Sequence, residues 1–137
     1  METKQNNYII LQDLIVYQLA RELSRIGWEI YKEFDWKQQK LIGDQFITAT
    51  DSVGANIAEG YARYHFLDRI KFYYQSRGSL MEAAEHWLPL LKERGMVEMD
   101  IAEKYSKLAN ELSLKLQNFI ASTARAKHAK SESLNLD

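Results

Sequence analysis

Residues 38–62, QQKLIGDQFITATDSVGANIAEGYA, decide the fold of this chain. Along this stretch apolar side chains recur at intervals of four, three, four and four residues, at Ile42, Phe46, Ala49, Val53 and Ile57. Because an α-helix has about 3.6 residues per turn, this spacing places them on one helical face. The stretch therefore predicts an amphipathic helix from about Gln38 to Ala62, with one face buried against neighbouring helices.

The same periodicity outlines three further helices, at about Leu11–Phe34, Phe66–Arg94 and Ile101–Lys127. Short links favour antiparallel neighbours, so the chain is predicted to be all-α, an antiparallel up-down-up-down four-helix bundle. The bundle is expected to span residues 11–128, between a flexible N-terminus over 1–10 and a disordered tail over 129–137. Pro89 predicts a bend within the third helix, and Gly95 predicts the left-handed cap at its end.

The stripes also predict which side chains are buried. In the first helix the expected buried face consists of Ile15, Leu19, Leu23, Ile26, Ile30 and Phe34. In the third helix it includes Tyr73, Tyr74, Leu80 and Met81. Two glycines have predicted structural roles. Gly60 is expected to end the second helix, and Gly78 is expected to lie where two helices approach closely.

The composition is that of a single domain. The chain has 137 residues, and its 6 Gly and 1 Pro are too few for a turn-rich β fold. With 0 Cys it has no disulfide, no thiolate metal site and no cysteine nucleophile. Lys+Arg 18 against Asp+Glu 19 gives a net charge of −1, which argues against a broadly basic nucleic-acid coat. These residues contain no signal-peptide pattern and no long apolar run, so a cytoplasmic location without a membrane partner is expected.

The sequence lacks the motifs of catalysis and metal binding that helical bundles can carry. A dimetal site in a bundle uses two Glu-x-x-His pairs, but the three histidines, His65, His86 and His128, have no glutamate three residues earlier. Glycine-rich phosphate loops and local nucleophile motifs are also missing. The sequence therefore predicts a protein without enzymatic activity, cofactor or metal.

A set of polar residues lies beside the predicted apolar faces of the second and third helices: Ser52, Asn56, Glu59, Arg63, Arg77 and Glu82. The first four follow steps of four, three and four residues, so they share one helical face. Polar groups near a core need partners, because an unpaired buried one costs about 1–3 kcal/mol. The set therefore predicts a structural polar network that fixes helix register. The alternative is a small-ligand binder or enzyme whose site is Glu59, Arg63, Arg77 and Glu82.

The residues around this set resemble a known family. DSVGANIAEG over residues 51–60, then Arg63, then RGSLME over 77–82, is similar to the 23S rRNA intervening-sequence protein family, as is the opening DLIVYQLAR over 13–21. The resemblance implies a small bacterial four-helix bundle that forms homopentameric rings and has no established enzymatic activity. A related branch, the accessory proteins of diversity-generating retroelements, is basic and binds nucleic acid and a reverse transcriptase.

Two groups of basic residues are the expected nucleic-acid contacts. Arg63, Arg69 and Lys71 lie near the start of the third helix, and the end of the fourth helix carries Arg125, Lys127 and Lys130. The second group has an alternative role, because cations near a helix C-terminus interact favourably with the helix dipole. The family often has a basic pair where this chain has Ile47 and Thr48, which removes two phosphate contacts that its relatives can make.

Aromatic residues outnumber the positions on the predicted buried stripes. They are Tyr17, Trp28, Tyr31, Trp36, Tyr61 and Tyr64. Aromatic side chains outside a core are enriched at protein interfaces, so they predict self-association, with capping of the bundle ends as the alternative. Together these features predict a self-assembling scaffold or interaction module whose partners are copies of itself and RNA or a reverse transcriptase.

Overall fold

The computed structural model describes residues 8–135, with side chains through Ser131, and is built from four long helices. A short 3₁₀ turn, Leu11–Asp13, precedes the first helix, Ile15–Tyr31. The second helix spans 36–61 and comprises an α turn Trp36–Gln38, a π segment Gln39–Gly43 and an α segment Asp44–Tyr61. The third spans 66–93, as Phe66–Met81, a π segment Glu82–Trp87 and Leu88–Glu93. The fourth helix is Met99–Asn135.

The four helices pack as the predicted antiparallel up-down-up-down bundle. The first helix contacts the second and fourth, and the third likewise contacts the second and fourth. The core between them is apolar, and its fully buried members include Leu23, Phe46, Ile57, Leu112 and Leu116. The second helix therefore has the buried face that its sequence predicts.

The first and third helices bury most of their predicted stripes, including Leu23, Ile30 and Tyr73, but differ from them at three positions. Ile15 is 55% exposed, and Val16 and Ala20 are buried in its place. In the third helix Tyr74 and Met81 are exposed, because the buried line runs through Tyr73, Ser76, Leu80 and Ala83. The prediction that Ile15, Tyr74 and Met81 are buried is therefore wrong. Further apolar side chains flank each predicted stripe, so the spacing alone does not show which of them face the core.

Pro89 is accommodated by a change in helical hydrogen bonding. The N–H of Leu88 donates to the carbonyl of Ala83, five residues earlier, within the π segment Glu82–Trp87. The extra residue in this turn places Pro89 at the start of the following α segment, where a missing N–H is tolerated. The helix then continues to Glu93, as the apolar pattern predicts.

The third helix ends at the glycine that the sequence predicts. Gly95 has φ +65°, the left-handed conformation that favours glycine. The N–H of Met96 donates to the carbonyl of Leu91 at 2.9 Å, and the N–H of Gly95 donates to that of Lys92 at 3.1 Å. These two bonds form a Schellman cap, and Met96 and Val97 pack back against the core.

Of the two other glycines, one has a further role and one lacks its predicted role. Gly60 lies one residue before the end of the second helix at Tyr61, close to the predicted end. A Cβ at Gly60 would lie 2.8 Å from the Cβ of Phe72 and 2.8 Å from Cε1 of Tyr73, so this glycine permits close approach of the second and third helices. Gly78 is exposed, and a Cβ there would meet nothing within 4 Å. The close approach predicted at Gly78 occurs instead at Gly60.

The ends of the chain differ in part from expectation. The fourth helix continues to Asn135, so residues 129–135 are helical where the sequence predicts a disordered tail. Residues 1–7 of the predicted flexible N-terminus lie outside the described residues, as do 136–137. Residues 8–10 are not helical, but the Tyr8 ring stacks on Tyr61 with centroids 5.8 Å apart.

Candidate nucleic-acid interface at one end of the bundle

The predicted polar network divides into contacts within single helices. Ser52 Oγ donates to the carbonyl of Thr48 at 2.7 Å, and Asn56 Nδ2 donates to the carbonyl of Ser52 at 2.9 Å. Arg63 and Glu59 form an ion pair on an exposed face. All of these partners lie four residues apart, within the second helix or between its last turn and the following link, so they do not set the register between helices.

The remaining members of the set lie elsewhere. The Glu82 carboxylate accepts a hydrogen bond from the Trp87 indole N–H at 2.7 Å, and Arg77 lines a groove between the third and fourth helices. Gly60 packs on Phe72, so the neighbouring Glu59 lies at the level of Phe72 on the third helix. Glu82 follows Phe72 by ten residues, which at about 1.5 Å per residue places it roughly 15 Å away along the helix axis. The six residues form neither one network nor one ligand site, so the predicted convergence is wrong.

The polar contacts that do join helices are buried, and sequence reasoning missed them. Thr50 Oγ1 and Tyr105 Oη lie 2.8 Å apart, linking the second and fourth helices. Ser76 Oγ donates to the carbonyl of Val53 at 2.7 Å, linking the third and second helices. The available signal was that Thr50 continues the apolar spacing Phe46, Thr50, Val53 and Ile57 by steps of four, three and four.

Burial shifts the titration of two core tyrosines. Desolvation raises the pKa of Tyr73 to about 12, although the charge of Arg69 opposes the shift. Desolvation also raises the pKa of Tyr105 above its ordinary value. Because burial disfavours the phenolate, both side chains stay neutral near neutral pH and serve the core rather than a reactive site.

Basic and aromatic side chains gather at the end of the bundle where the second helix passes into the third. Arg63 Cζ lies 5.0 Å from the centroid of the Phe72 ring, and Arg69 Cζ lies 5.4 Å from that of Phe66. Lys130, from the fourth helix, places Nζ 5.7 Å from the Phe66 centroid. We call Arg63, Tyr64, Phe66, Arg69 and Lys130 the basic end cluster.

Tyr64 is the exposed aromatic member of the basic end cluster. It lies in the four-residue link 62–65, and the residue is 77% exposed. Lys130 Nζ lies 5.5 Å from its centroid, and the His65 ring meets it edge-on with centroids 5.2 Å apart. The link is held in place by Arg69, whose Nε donates to the carbonyl of Arg63 at 2.6 Å.

The other predicted basic contacts surround the cluster without joining it. Lys71 is exposed on the third helix and Lys127 is half-buried on the fourth. Arg125 lines a groove beside the start of the first helix, together with Asp13 and Phe119. Of the six predicted cations, the structure therefore brings Arg63, Arg69 and Lys130 together.

The charge of the chain is unevenly distributed. Residues 61–71 and 119–137 contain six Lys or Arg but three carboxylates, Asp68, Glu132 and Asp137. The rest of the chain holds the other 12 of the 18 basic residues and the other 16 of the 19 acidic ones. The net charge of −1 therefore conceals an excess of positive charge at this end, which Glu59 reduces by pairing with Arg63 and Asp13 reduces by lying beside Arg125.

The aromatic residues outside the predicted stripes fall into two groups. Trp28, Trp36 and Tyr64 are exposed. Tyr17, Tyr31 and Tyr61 are half-buried, and Tyr31 Oη donates to Asp44 Oδ1 at 2.7 Å. Three exposed apolar side chains also follow the third helix at seven-residue steps, Leu67, Tyr74 and Met81, and form an apolar stripe on the surface.

One comparison with known proteins shows the family of this chain, and a second shows its fold. The profile of the 23S rRNA-intervening sequence protein family matches residues 12–118. This chain belongs to that family. A protein with unknown function from the S23 ribosomal protein family of Bacteroides thetaiotaomicron VPI-5482 has a similar crystal structure, with a TM-score of 0.72. The two are 21% identical over 78% of this chain and 96% of the other, which supports the shared fold. No curated protein matches the sequence significantly.

The range matched by the family profile contains only part of the basic end cluster. Arg63, Tyr64, Phe66 and Arg69 lie inside the matched range of the 23S rRNA-intervening sequence family, whereas Lys130 lies beyond it. Among the described residues, no helix is long and apolar enough to cross a membrane. Within the same part of the chain, no three His, Asp or Glu side chains come together as a metal site.

Proposed function

We propose that this member of the 23S rRNA-intervening sequence family is a non-enzymatic bacterial interaction module that self-assembles and binds RNA in the cytoplasm. The observation that carries the proposal is the basic end cluster, in which Arg63 and Arg69 meet Lys130 from the far end of the chain. Contacts between Lys or Arg and phosphates supply most sequence-independent affinity for nucleic acid. A basic end on an acidic bundle would orient the protein on its partner, because the remaining surface repels phosphates.

Self-assembly is supported by the apolar stripe. Leu67, Tyr74 and Met81 are all more than half exposed and repeat at seven-residue steps on one face of the third helix. Fully burying a large apolar side chain contributes about 1.5–3 kcal/mol, so covering this face with a second copy is favourable. The proposed homopentamer rests on the resemblance to family members that form pentameric rings.

A ring would strengthen the proposed RNA binding. Each subunit contributes one basic end cluster, so a cyclic assembly presents several copies of the same weak site to one RNA. Once one cluster is bound, the others bind at high effective concentration, which raises the overall affinity without any new type of contact. Assembly and RNA binding are therefore expected to weaken together.

RNA binding is tested by salt titration of a labelled structured RNA. Replacing the exposed Lys71 and Lys130 by glutamine should reduce the affinity at low salt and make the dependence on salt less steep. The matched control replaces Lys37 and Lys40, which are exposed near the start of the second helix, and removes the same charge. Absence of binding at low salt, or equal losses in both variants, would contradict the proposal.

Self-assembly is tested by light scattering on the purified protein. The wild-type chain is expected to have the mass of a pentamer, and Tyr74→Glu should shift it towards the monomer by placing a charge on the apolar stripe. Gln75→Glu adds the same charge at the neighbouring exposed position and should leave the mass unchanged. A monomeric wild-type protein would overturn the assembly.

A further inference from the structure

We propose that the basic end cluster selects unpaired RNA, with a base stacked on the ring of Tyr64 and the adjoining phosphates on Arg63, Arg69 and Lys130. This inference rests on the proposed function and adds a recognition mode to it. The proposed function requires only phosphate contacts, which a duplex and a single strand both offer. The inference requires a bare base face, which a duplex conceals.

The exposure of Tyr64 is the first support. A side chain that is 77% exposed contributes little to the packing of its own subunit. The backbone beside the ring is held, because Arg69 Nε donates to the carbonyl of Arg63 in the same four-residue link. An exposed aromatic ring can stack with any unpaired base, since every base has a π face.

The arrangement of cations around the ring is the second support. Lys130 Nζ lies within 6 Å of the centroids of both Tyr64 and Phe66, and Arg69 Cζ lies close to the same Phe66 ring. Single-stranded nucleic-acid sites combine stacking rings with cations that follow the backbone. When a base occupies the Tyr64 ring, the flexible Lys130 side chain can move from the ring to the adjoining phosphate.

The opposite end of the bundle provides a natural comparison. Trp36 is 70% exposed, and Lys40 Nζ lies 5.5 Å from its ring, so one aromatic–cation pair occurs there as well. In the stretch 32–44 around Trp36, three acidic residues, Glu33, Asp35 and Asp44, balance three lysines, so this stretch has no net positive charge. Ring and cation alone are therefore present at both ends, but the excess of positive charge is present only at the Tyr64 end.

The test measures binding of the full chain to three labelled probes of one sequence by fluorescence anisotropy. They are an unstructured RNA strand, the same strand paired with its complement, and a strand with the same phosphates but abasic sites. The single strand should bind more tightly than the other two. Tyr64→Ala should weaken binding of the single strand roughly 5- to 150-fold, the range expected for loss of one base–aromatic stack.

Two variants control for the loss of the ring. Tyr64→Phe keeps a stacking surface and should bind like the wild type, whereas Trp36→Ala removes an equally exposed ring from the other end and should also leave binding unchanged. Because both rings are exposed, the fold of each variant is expected to be intact, and circular dichroism checks this. An affinity that falls equally in Tyr64→Ala and Trp36→Ala would overturn the inference.

The remaining outcomes separate the inference from the proposed function. Equal, salt-dependent binding of all three probes would overturn stacking on Tyr64 and leave RNA binding in place, whereas no binding of any probe would overturn both. A DNA strand that binds more tightly than the RNA would overturn RNA as the ligand. Preferential binding to phosphatidylserine vesicles, lost in Tyr64→Ala, would show that the cluster recognises a lipid surface and would also overturn the inference.

Discussion

The hydroxyls of Thr50 and Tyr105 form a hydrogen bond of 2.8 Å in the centre of the bundle, where neither side chain is exposed. Thr50 Oγ1 also donates to the carbonyl of Phe46 at 2.9 Å. A hydroxyl has one proton, so Thr50 must accept from Tyr105. This bond joins the second helix to the fourth, which lie diagonally across the core.

The direction of this bond predicts unequal effects of two substitutions. Tyr105→Phe removes the donor but leaves Thr50 bonded to Phe46, so the free energy of unfolding should fall by about 0.5–1.5 kcal/mol. Thr50→Val leaves the buried Tyr105 hydroxyl without a partner and should cost more, about 1–3 kcal/mol. Urea unfolding measures both, and the double variant should lose less than the sum of the single losses. Additive losses would show that the two hydroxyls do not interact.

Gly60 and Gly78 are predicted to respond oppositely to alanine. Gly60→Ala places a methyl group 2.8 Å from Phe72 and Tyr73 and 3.1 Å from the carbonyl of Arg69, so the second and third helices must separate. Such overpacking costs about 1–3 kcal/mol. Gly78→Ala adds a methyl group in open space on a helix and should stabilise the protein by about 0.5–1 kcal/mol. Thermal unfolding compares them, and a stabilising Gly60→Ala would contradict the close helix contact.

Gly95 is predicted to resist substitution because of its backbone conformation. Nothing lies within 4 Å of a Cβ at this position, but its φ of +65° is unfavourable for residues with side chains. Gly95→Ala should therefore lower the free energy of unfolding by about 1–2 kcal/mol, and Gly95→Asn should lower it less, because asparagine tolerates the left-handed region. Chemical denaturation distinguishes the two variants. Equal stability of Gly95→Ala and the wild type would show that the Schellman cap is not required.

The raised pKa of Tyr73 predicts loss of stability in alkali. An unfolded tyrosine ionises near pH 10, whereas Tyr73 keeps its proton up to a pKa of about 12 in the folded protein. Between these values the unfolded state has lost the proton and the native state has not, so stability is present below about pH 10 and falls as the pH rises. The slope approaches 1.4 kcal/mol per pH unit for one such group. Denaturation across this range should show a shallower decline for Tyr73→Phe, and an unchanged decline would contradict the assignment.

The sequence by itself determined the features that depend on local chemistry. The spacing of Ile42, Phe46 and Ile57 specified a helix and its buried face, because side-chain direction follows from helical periodicity. Gly95 specified the end of the third helix, because few residues other than glycine adopt the left-handed conformation readily. The strings over residues 13–21, 51–60 and 77–82 together also indicated the family.

Only the tertiary structure decided which of several equivalent faces is buried. Ile15 and Val16 are both apolar, so the pattern alone did not show that the first helix turns Val16 inwards. Thr50 and Ser76 are polar, but each is buried because another helix supplies a hydrogen-bond partner. The sequence placed the close helix contact at Gly78, and only the packing of Phe72 against Gly60 located it correctly.

In the candidate site, too, the sequence determined the residue types and the tertiary structure determined which of them meet. The sequence identified Arg63, Arg69 and Lys130 as basic and Tyr64 as an aromatic residue outside the stripes. It did not show that they meet, because Lys130 comes from the end of the fourth helix, and its distance from Tyr64 depends on how far that helix extends beside the link 62–65. Local periodicity therefore determined the helices, whereas their lengths and packing brought the cations to one aromatic ring.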